Sequence, residues 1–235
     1  YDDNADVQMR VAAAIINKVA EHVTPPVGTM LEVGCGTGRP TRLALESFKP
    51  RKAILWDLHI SPQIEELSRR RYPDTVTHGC DAEVEIRLLA DNSVDLLLSA
   101  STVQWFNSLR AFLEQVRRVL TRGGMAAIST YGSDTMREVH EATGTECRFP
   151  SLASIRRMIP DGLDLVVACE EHITDLYDSP LGVLRHLSRT GVNGLRPSSE
   201  GDTAAGLELL RAYPVDTQGH APLTYHPIYI ILRKS

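Results

Sequence analysis

No stretch of this chain is apolar for long enough to cross a membrane as a helix, which takes about 20 residues, so no membrane partner is expected. Cysteine is sparse: Cys35, Cys80, Cys147 and Cys169 are scattered, without CxxC spacing. A zinc site and a disulfide framework are therefore both disfavoured, no metal is expected, and free thiols suit a reducing, cytoplasmic compartment. A basic excess is missing too. The 25 Lys and Arg residues are outnumbered by 30 Asp and Glu, for a formal net charge of −5, which argues against a nucleic-acid partner. No export signal, internal repeat or low-complexity tract is found. What is present is ordinary for a globular protein: 43% hydrophobic and 23% charged residues over 235 positions. That is enough for one large domain, or one domain with a small accessory piece.

Hydrophobic spacing sets out the elements. Val7, Val11, Ala14, Ile15 and Val19 recur at helical intervals up to His22, and Thr24-Pro25-Pro26 ends that helix. Strands are expected at residues 30–33, 53–56, 76–78, 94–99 and 125–130, with helices at 40–48, from Ser61-Pro62 toward Arg71, and at 109–120, where Gly123-Gly124 is expected to stop the helix. Strands alternating with helices at this spacing mean βαβ units and a mostly parallel sheet covered on both faces. After Tyr131 the rhythm breaks. Helices are expected at 133–141, 151–158 and 180–188, strands at 163–170 and 172–177, a loop at 196–204, and one apolar β-rich run at 223–232.

The segment Leu31-Glu32-Val33-Gly34-Cys35-Gly36-Thr37-Gly38 brings a strand into a glycine turn that feeds a helix. Such a turn offers free backbone N–H groups and a positive dipole end, and glycine lets a ligand approach the backbone closely. Dinucleotide sites follow G-x-G-x-x-G, but here Arg39 stands where the last glycine belongs. Glu32 would repel a phosphate and attract an ammonium. The next strand closes on Asp57, whose carboxylate can accept both ribose hydroxyls, and the third ends near Asp81, placed for an adenine amine. Singly, each is explained by a tight connection or a helix cap. In order, on successive carboxyl ends of parallel strands, they make a site for a neutral-to-cationic adenosine ligand.

This E-x-G-x-G-x-G, Asp57, Asp81 series resembles the class I S-adenosylmethionine-dependent methyltransferases. A narrower set resembles the malonyl-(acyl-carrier protein) O-methyltransferase family of biotin synthesis over nearly the whole chain: Tyr1-Asp2 with Ala5 and Gln8, Val103-Gln104-Trp105-Phe106, Arg118-Val119-Leu120, Ser129-Thr130-Tyr131-Gly132, Glu138-Val139-His140, Arg148-Phe149, Leu187 with Gly191, and Leu223-Thr224-Tyr225-His226. The Gln104-Trp105 pair is shared with trans-aconitate methyltransferases. The resemblance implies a Rossmann-like, doubly wound α/β fold with an antiparallel C-terminal strand and a small helical insert. It also implies one domain over 1–235, with a lid helix at 1–23 and a substrate-covering insert at 133–195.

It implies S-adenosylmethionine as cofactor, S-adenosylhomocysteine as product, and a cofactor set of Gln8, Glu32, Gly34, Cys35, Gly36, Asp57, Leu58, Asp81, Ala82 and Ser99. The substrate set would be Tyr1, Gln104, Trp105, His140, Arg148 and Tyr225, with His226 nearby. The family methylates the free carboxylate of a malonyl thioester. That group is ionised at neutral pH, so no catalytic base is required, and placement falls to Tyr1, Trp105 and Arg148. The partner implied is an acidic acyl-carrier protein carrying malonyl. Among the arginine clusters 69–71, 117–118, 156–157 and Arg185 with Arg189, the last two are the expected docking face. A related carboxyl or quinone-carbon methyltransferase, and a non-catalytic adenosyl-binding module, are the alternatives.

Overall fold

The computed structural model describes residues 6–71, 74–190 and 210–235. The Tyr1 position and the loop expected at 196–204 lie outside them, as do the side chains of Arg70, Arg71 and Arg189. The chain forms two compact units. One contains residues 8–130, 151–170 and 228–235; the other contains 1–7, 131–150 and 171–227.

The first unit is built on a seven-stranded sheet. Its elements run α1 (Asp6–Ala20), β1 (Thr29–Val33), α2 (Arg39–Phe48), β2 (Lys52–Asp57), α3 (Pro62–Arg71), β3 (Thr75–Gly79), α4 (Ala82–Glu85), β4 (Val94–Ala100), α5 (Leu109–Val119) and β5 (Leu120–Tyr131). After α6 (Arg137–Thr143), the chain adds α7 (Leu152–Arg156) and β6 (Leu163–Glu170), then β7 (Ile173–Tyr177), α8 (Pro180–Thr190), β8 (Ala221–Tyr225) and β9 (Pro227–Lys234). Strand order is β3-β2-β1-β4-β5-β9-β6. The β1–β2, β1–β4, β2–β3 and β4–β5 pairs are parallel, and β9 runs antiparallel to β6. This is the expected Rossmann-like, doubly wound class. The strand order reverses between β1 and β4, the crevice where open α/β sheets bind ligands.

Local chemistry explains the elements. In α5, Phe112, Leu113, Val116 and Val119 are buried at 3.6-residue spacing. Ser108 caps it by accepting from the Ala111 amide at 3.2 Å. Ser61 does the same for α3, accepting from the Ile64 amide at 3.4 Å, with Pro62 in the first turn. Lys18 on α1 lies 5.4 Å over the Tyr229 ring of β9, holding the helix that carries Gln8.

Three expectations are corrected. Gly123-Gly124 does not stop α5. The helix ends at Val119, and both glycines lie inside β5, where the register against β4 slips between Val94 and Leu96. The run at 223–232 is not one strand: it breaks at His226, β8 pairing with β7 in a separate two-stranded sheet and β9 entering the large sheet. The insert at 133–195 is interrupted, because β6 pairs with β9 and draws residues 151–170 back into the sheet unit. The Arg156-Arg157 pair on α7 therefore belongs to the sheet unit and Arg185 to the other.

The second unit is knotted around Thr224 on β8. Its carbonyl accepts from the Met136 amide at 2.7 Å, its amide donates to Glu138 Oε2 at 3.0 Å, and its hydroxyl reaches Glu138 Oε1 at 2.5 Å. Buried Tyr225 beside it bonds His186 Nε2 through its hydroxyl at 2.9 Å and packs 6.1 Å from the Tyr131 ring.

Removing the α5 cap by Ser108→Ala should lower stability by about 1 kcal/mol. Urea unfolding should show a lower midpoint with an unchanged slope.

Candidate functional site

The carboxyl ends of β1, β2, β3 and β4 place the sequence-derived residues side by side in the sheet. Gly34 has φ +84°, and a Cβ there would collide with the side chain of Thr102, just past β4. Only glycine meets both constraints. Ser99 on β4 donates to the Val33 carbonyl at 3.1 Å, a buried tie between β4 and β1. Its hydroxyl thus acts within the sheet.

Four amides of the glycine loop, which the sequence suggested would be free, are engaged within the protein. The amides of Gly34 and Cys35 both donate to the Trp56 carbonyl of β2 at 2.8 and 3.0 Å, and that of Gly38 to the Cys35 carbonyl at 3.0 Å. The Gly36 amide donates to Asp57 Oδ2 at 2.8 Å. Three of these N–H groups tie the loop to β2, and those donors are taken up by the protein itself. Asp57 is thereby fixed against the loop, and Oδ1 also accepts from the His59 amide at 3.3 Å. A carboxylate offers about four acceptor positions, so two remain for a pair of ribose hydroxyls. Asp81 caps α4, accepting from the Glu83 amide at 2.9 Å, and Ala82 is buried behind it.

The residues fit an adenosylmethionine on three counts. Glu32 is 4% exposed, Oε2 has no partner, and burial raises its pKa to about 7, with Thr41 partly offsetting and Asp57 adding to the rise. A buried carboxylate lacking a cation is an uncompensated charge, which an ammonium corrects. Gln8 Oε1 and Gln104 Oε1 are likewise buried without a partner. Finally, a Cβ on Gly36 would meet nothing within 4 Å, so the loop's outer face is open, and Leu58 beside it is 67% exposed, an apolar surface for a base.

Other positions are settled as follows. Cys35 is buried, and burial pushes its thiol far up, so it is unreactive. Trp105 is 56% exposed and so is not a core residue. Gln104 donates to the Ser101 carbonyl at 2.6 Å. His140, on α6 of the second unit, bonds Thr145 Oγ1 at 2.8 Å, and burial lowers its pKa. Arg148 is exposed. Tyr225 is fully buried, with burial raising its pKa, so it acts as core of the second unit. Arg118 is not a docking cation: its guanidinium reaches the carbonyls of Ile86 and Leu89 and Asp91 Oδ1, at 2.6–2.8 Å.

The sequence reading missed two supports. Ser101 holds a left-handed backbone (φ +53°) after β4, a strained conformation of the kind that clusters at functional sites. Glu83 receives the amides of Asn107 and Ser108 and the Asn107 side chain at 2.8–3.0 Å, bracing the segment after Trp105 against α4. Neither has a spacing signature.

The chain is similar to known methyltransferases. Residues 31–128 match a family model described as a methyltransferase domain. The chain is 32% identical over 245 residues to a malonyl-(acyl-carrier protein) O-methyltransferase of Bacteroides thetaiotaomicron, covering all of this chain and 93% of that one. It is 30% identical over 238 residues to the protein of the same name from Chlorobium luteolum, covering all of this chain and 90% of that one. Among solved structures, the YcgJ protein of Bacillus subtilis superposes with a TM-score of 0.66 over 94% of this chain and 98% of its own, at 14% identity, a likeness of fold alone.

Two glycine variants separate structure from binding. Gly34→Ala should destabilise the protein, by about 1–2 kcal/mol for the left-handed backbone and about 1–3 kcal/mol for overpacking against Thr102. A Cβ on Gly36 meets no neighbour and Gly36→Ala adds only the left-handed backbone's about 1–2 kcal/mol, so it should melt above Gly34→Ala yet bind S-adenosylhomocysteine at least tenfold more weakly by calorimetry.

Proposed function

Because the chain belongs to the malonyl-(acyl-carrier protein) O-methyltransferase family, we propose that it transfers a methyl group from S-adenosylmethionine to the free carboxylate of a malonyl thioester on an acyl-carrier protein, an early step of biotin synthesis. Buried, cation-less Glu32 at the switch point of the sheet is the observation that carries the cofactor half of this reading.

When bound, the cofactor supplies an electrophilic methyl group. Glu32 would hold its ammonium, Asp57 the ribose hydroxyls and Leu58 one face of the adenine, with Asp81 beside it. Gln8 and Gln104 would turn their unpaired carbonyls to the remaining donors. The malonyl carboxylate is already ionised at neutral pH, so no residue has to remove a proton. Good orientation supplies on the order of 7–11 kcal/mol in reactions of this kind. Exposed Trp105 would wall the acceptor and exclude water, and exposed Arg148 would pair with the carboxylate as it leaves water, since an unpaired buried charge is costly.

For the carrier protein, exposed Arg185 on α8, with Arg189 one turn further on, is the proposed docking cation pair. Among the described residues no helix is long and apolar enough to cross a membrane.

Transfer of tritiated methyl to malonyl-carrier protein, malonyl-coenzyme A and trans-aconitate tests the whole reading. Label on a malonyl thioester is expected; label on trans-aconitate alone, or on none, overturns it. Reversing Arg185 and Arg189 to Glu should raise KM for the carrier-linked substrate but not for a small malonyl thioester; equal effects would remove the docking face.

Glu32 gives a pH test. With its pKa at about 7 before the cofactor binds, Glu32 is charged at pH 8 and mostly protonated at pH 6. Cofactor affinity should therefore fall several-fold between pH 8 and pH 6, and Glu32→Gln should bind weakly at both. The effect on folding has the opposite sign: a raised acid pKa favours the protonated folded state, so stability is lost as pH rises toward 7. Glu32→Gln should melt no lower than the parent at pH 8.

A further inference from the structure

The second unit holds a cluster of metal-ligating side chains to which the proposed methyl transfer assigns no step. Asp134 lies in the turn after β5, His172 in the connection between β6 and β7, and His226 at the corner between β8 and β9. One ligand atom from each lies within 4.8 Å of the other two. His172 Nε2 is 2.9 Å from Asp134 Oδ2, and His226 Nδ1 is 3.9 Å from the same oxygen. In a tetrahedral zinc site with bonds of about 2.0–2.1 Å, ligand atoms stand about 3.3 Å apart, so these separations bracket what the ion requires.

We propose that Asp134, His172 and His226 form an accessory site for a zinc-class transition-metal ion, which cross-links three connections of the second unit. Two imidazoles with one carboxylate suit zinc and its neighbours and are a poor set for calcium or magnesium. The three connections are already fastened to each other without any ion. The Gly132 amide donates to the His226 carbonyl at 2.7 Å, the His226 amide to Thr135 Oγ1 at 3.2 Å, and the Glu171 amide to the Pro227 carbonyl at 3.1 Å. The ligands thus stand on a preorganised frame.

The tautomers can be followed. His226 is buried, and its Nδ1 accepts from the Asp134 amide at 3.2 Å, so that nitrogen carries a lone pair facing the cluster. Binding draws this lone pair from the amide to the ion. His172 now stacks on His226, with centroids 4.4 Å apart and planes 17° from parallel. An ion lies in the plane of each imidazole that binds it, so both rings cannot serve while stacked. His172 is the ring that turns, because its side chain is 45% exposed while that of His226 is 6%. As it turns, its proton moves to Nδ1 and Nε2 becomes a ligand. Asp134, 49% exposed, leaves the fourth position open to water.

This reading is independent of the methyl-transfer assignment, and its test needs no turnover. The EDTA-treated full chain is titrated with Zn2+ against a chromophoric chelator, and with Co2+ followed by its visible absorption. One ion per chain is expected, with four-coordinate cobalt bands and a higher thermal midpoint that EDTA reverses. His172→Ala and Asp134→Asn, both at the surface, should each weaken binding at least tenfold, and His172→Cys, which restores a ligand, should recover it. No binding, or binding that His172→Ala leaves within twofold, overturns the site. The second result would mark chelation elsewhere, at the exposed His220–Asp216 pair or at His78–Glu85.

Discussion

Everything at the cofactor end of the sheet depends on how closely β1 and β4 approach each other. No side chain fits between the end of β1 and the segment after β4, since a Cβ on Gly34 would meet Thr102. The Ser99–Val33 hydrogen bond draws the two strands together just below this point. The approach carries the loop over onto β2, whose Trp56 carbonyl takes the amides of both Gly34 and Cys35. The loop's shape therefore comes from the sheet and not from a ligand. A loop held this way commits the amides of Gly34, Cys35, Gly36 and Gly38 to the protein itself.

That closure sets up the electrostatics. Burying Glu32 behind the loop leaves a carboxylate whose ionisation the protein opposes until a cation arrives. A chain selected for stability alone would place an uncharged residue there. Local rules are broken where function needs it, and several violations fall in the first unit: buried Glu32, the orphaned carbonyls of Gln8 and Gln104, the unpartnered Thr75 hydroxyl and the left-handed Ser101. The unpartnered acceptors are costly in the empty protein, and the cost at Glu32, Gln8 and Gln104 falls when a donor-bearing ligand reaches them.

How much of this the sequence revealed follows the range of the forces involved. Ser61-Pro62, the apolar stripe of α5 and the glycine turn are set by neighbours within a few residues, and all were legible. The order of Glu32, Asp57 and Asp81 was legible because each βαβ unit repeats the same geometry. Long-range choices were not. Residues 223–232 look like one strand because both halves are apolar, yet His226 ends one sheet's strand and Pro227 opens another's. The split is decided by partners, β7 for one half and β6 for the other. Glu83 looks like one more acid on a polar helix until Asn107 and Ser108, two dozen residues on, donate to it.

The same logic bears on the absent base. A reaction whose nucleophile is already ionised asks the protein for no proton transfer, so acceptor choice rests on desolvation and shape. Residues that would be read as acid–base machinery in another enzyme are then free for structural use. The second unit shows this. Tyr225 and His186 bond one another, and burial raises the first pKa and lowers the second, so both stay neutral at physiological pH. Glu138 is bound into Thr224. These are the fixings of a rigid scaffold. Among the described residues of that unit, exposed Arg148, Arg185 and Arg211 have charge to offer a carboxylate or an acidic partner. An enzyme that works by placement needs rigidity in the frame and a few charges at the surface, and the residues divide along that line.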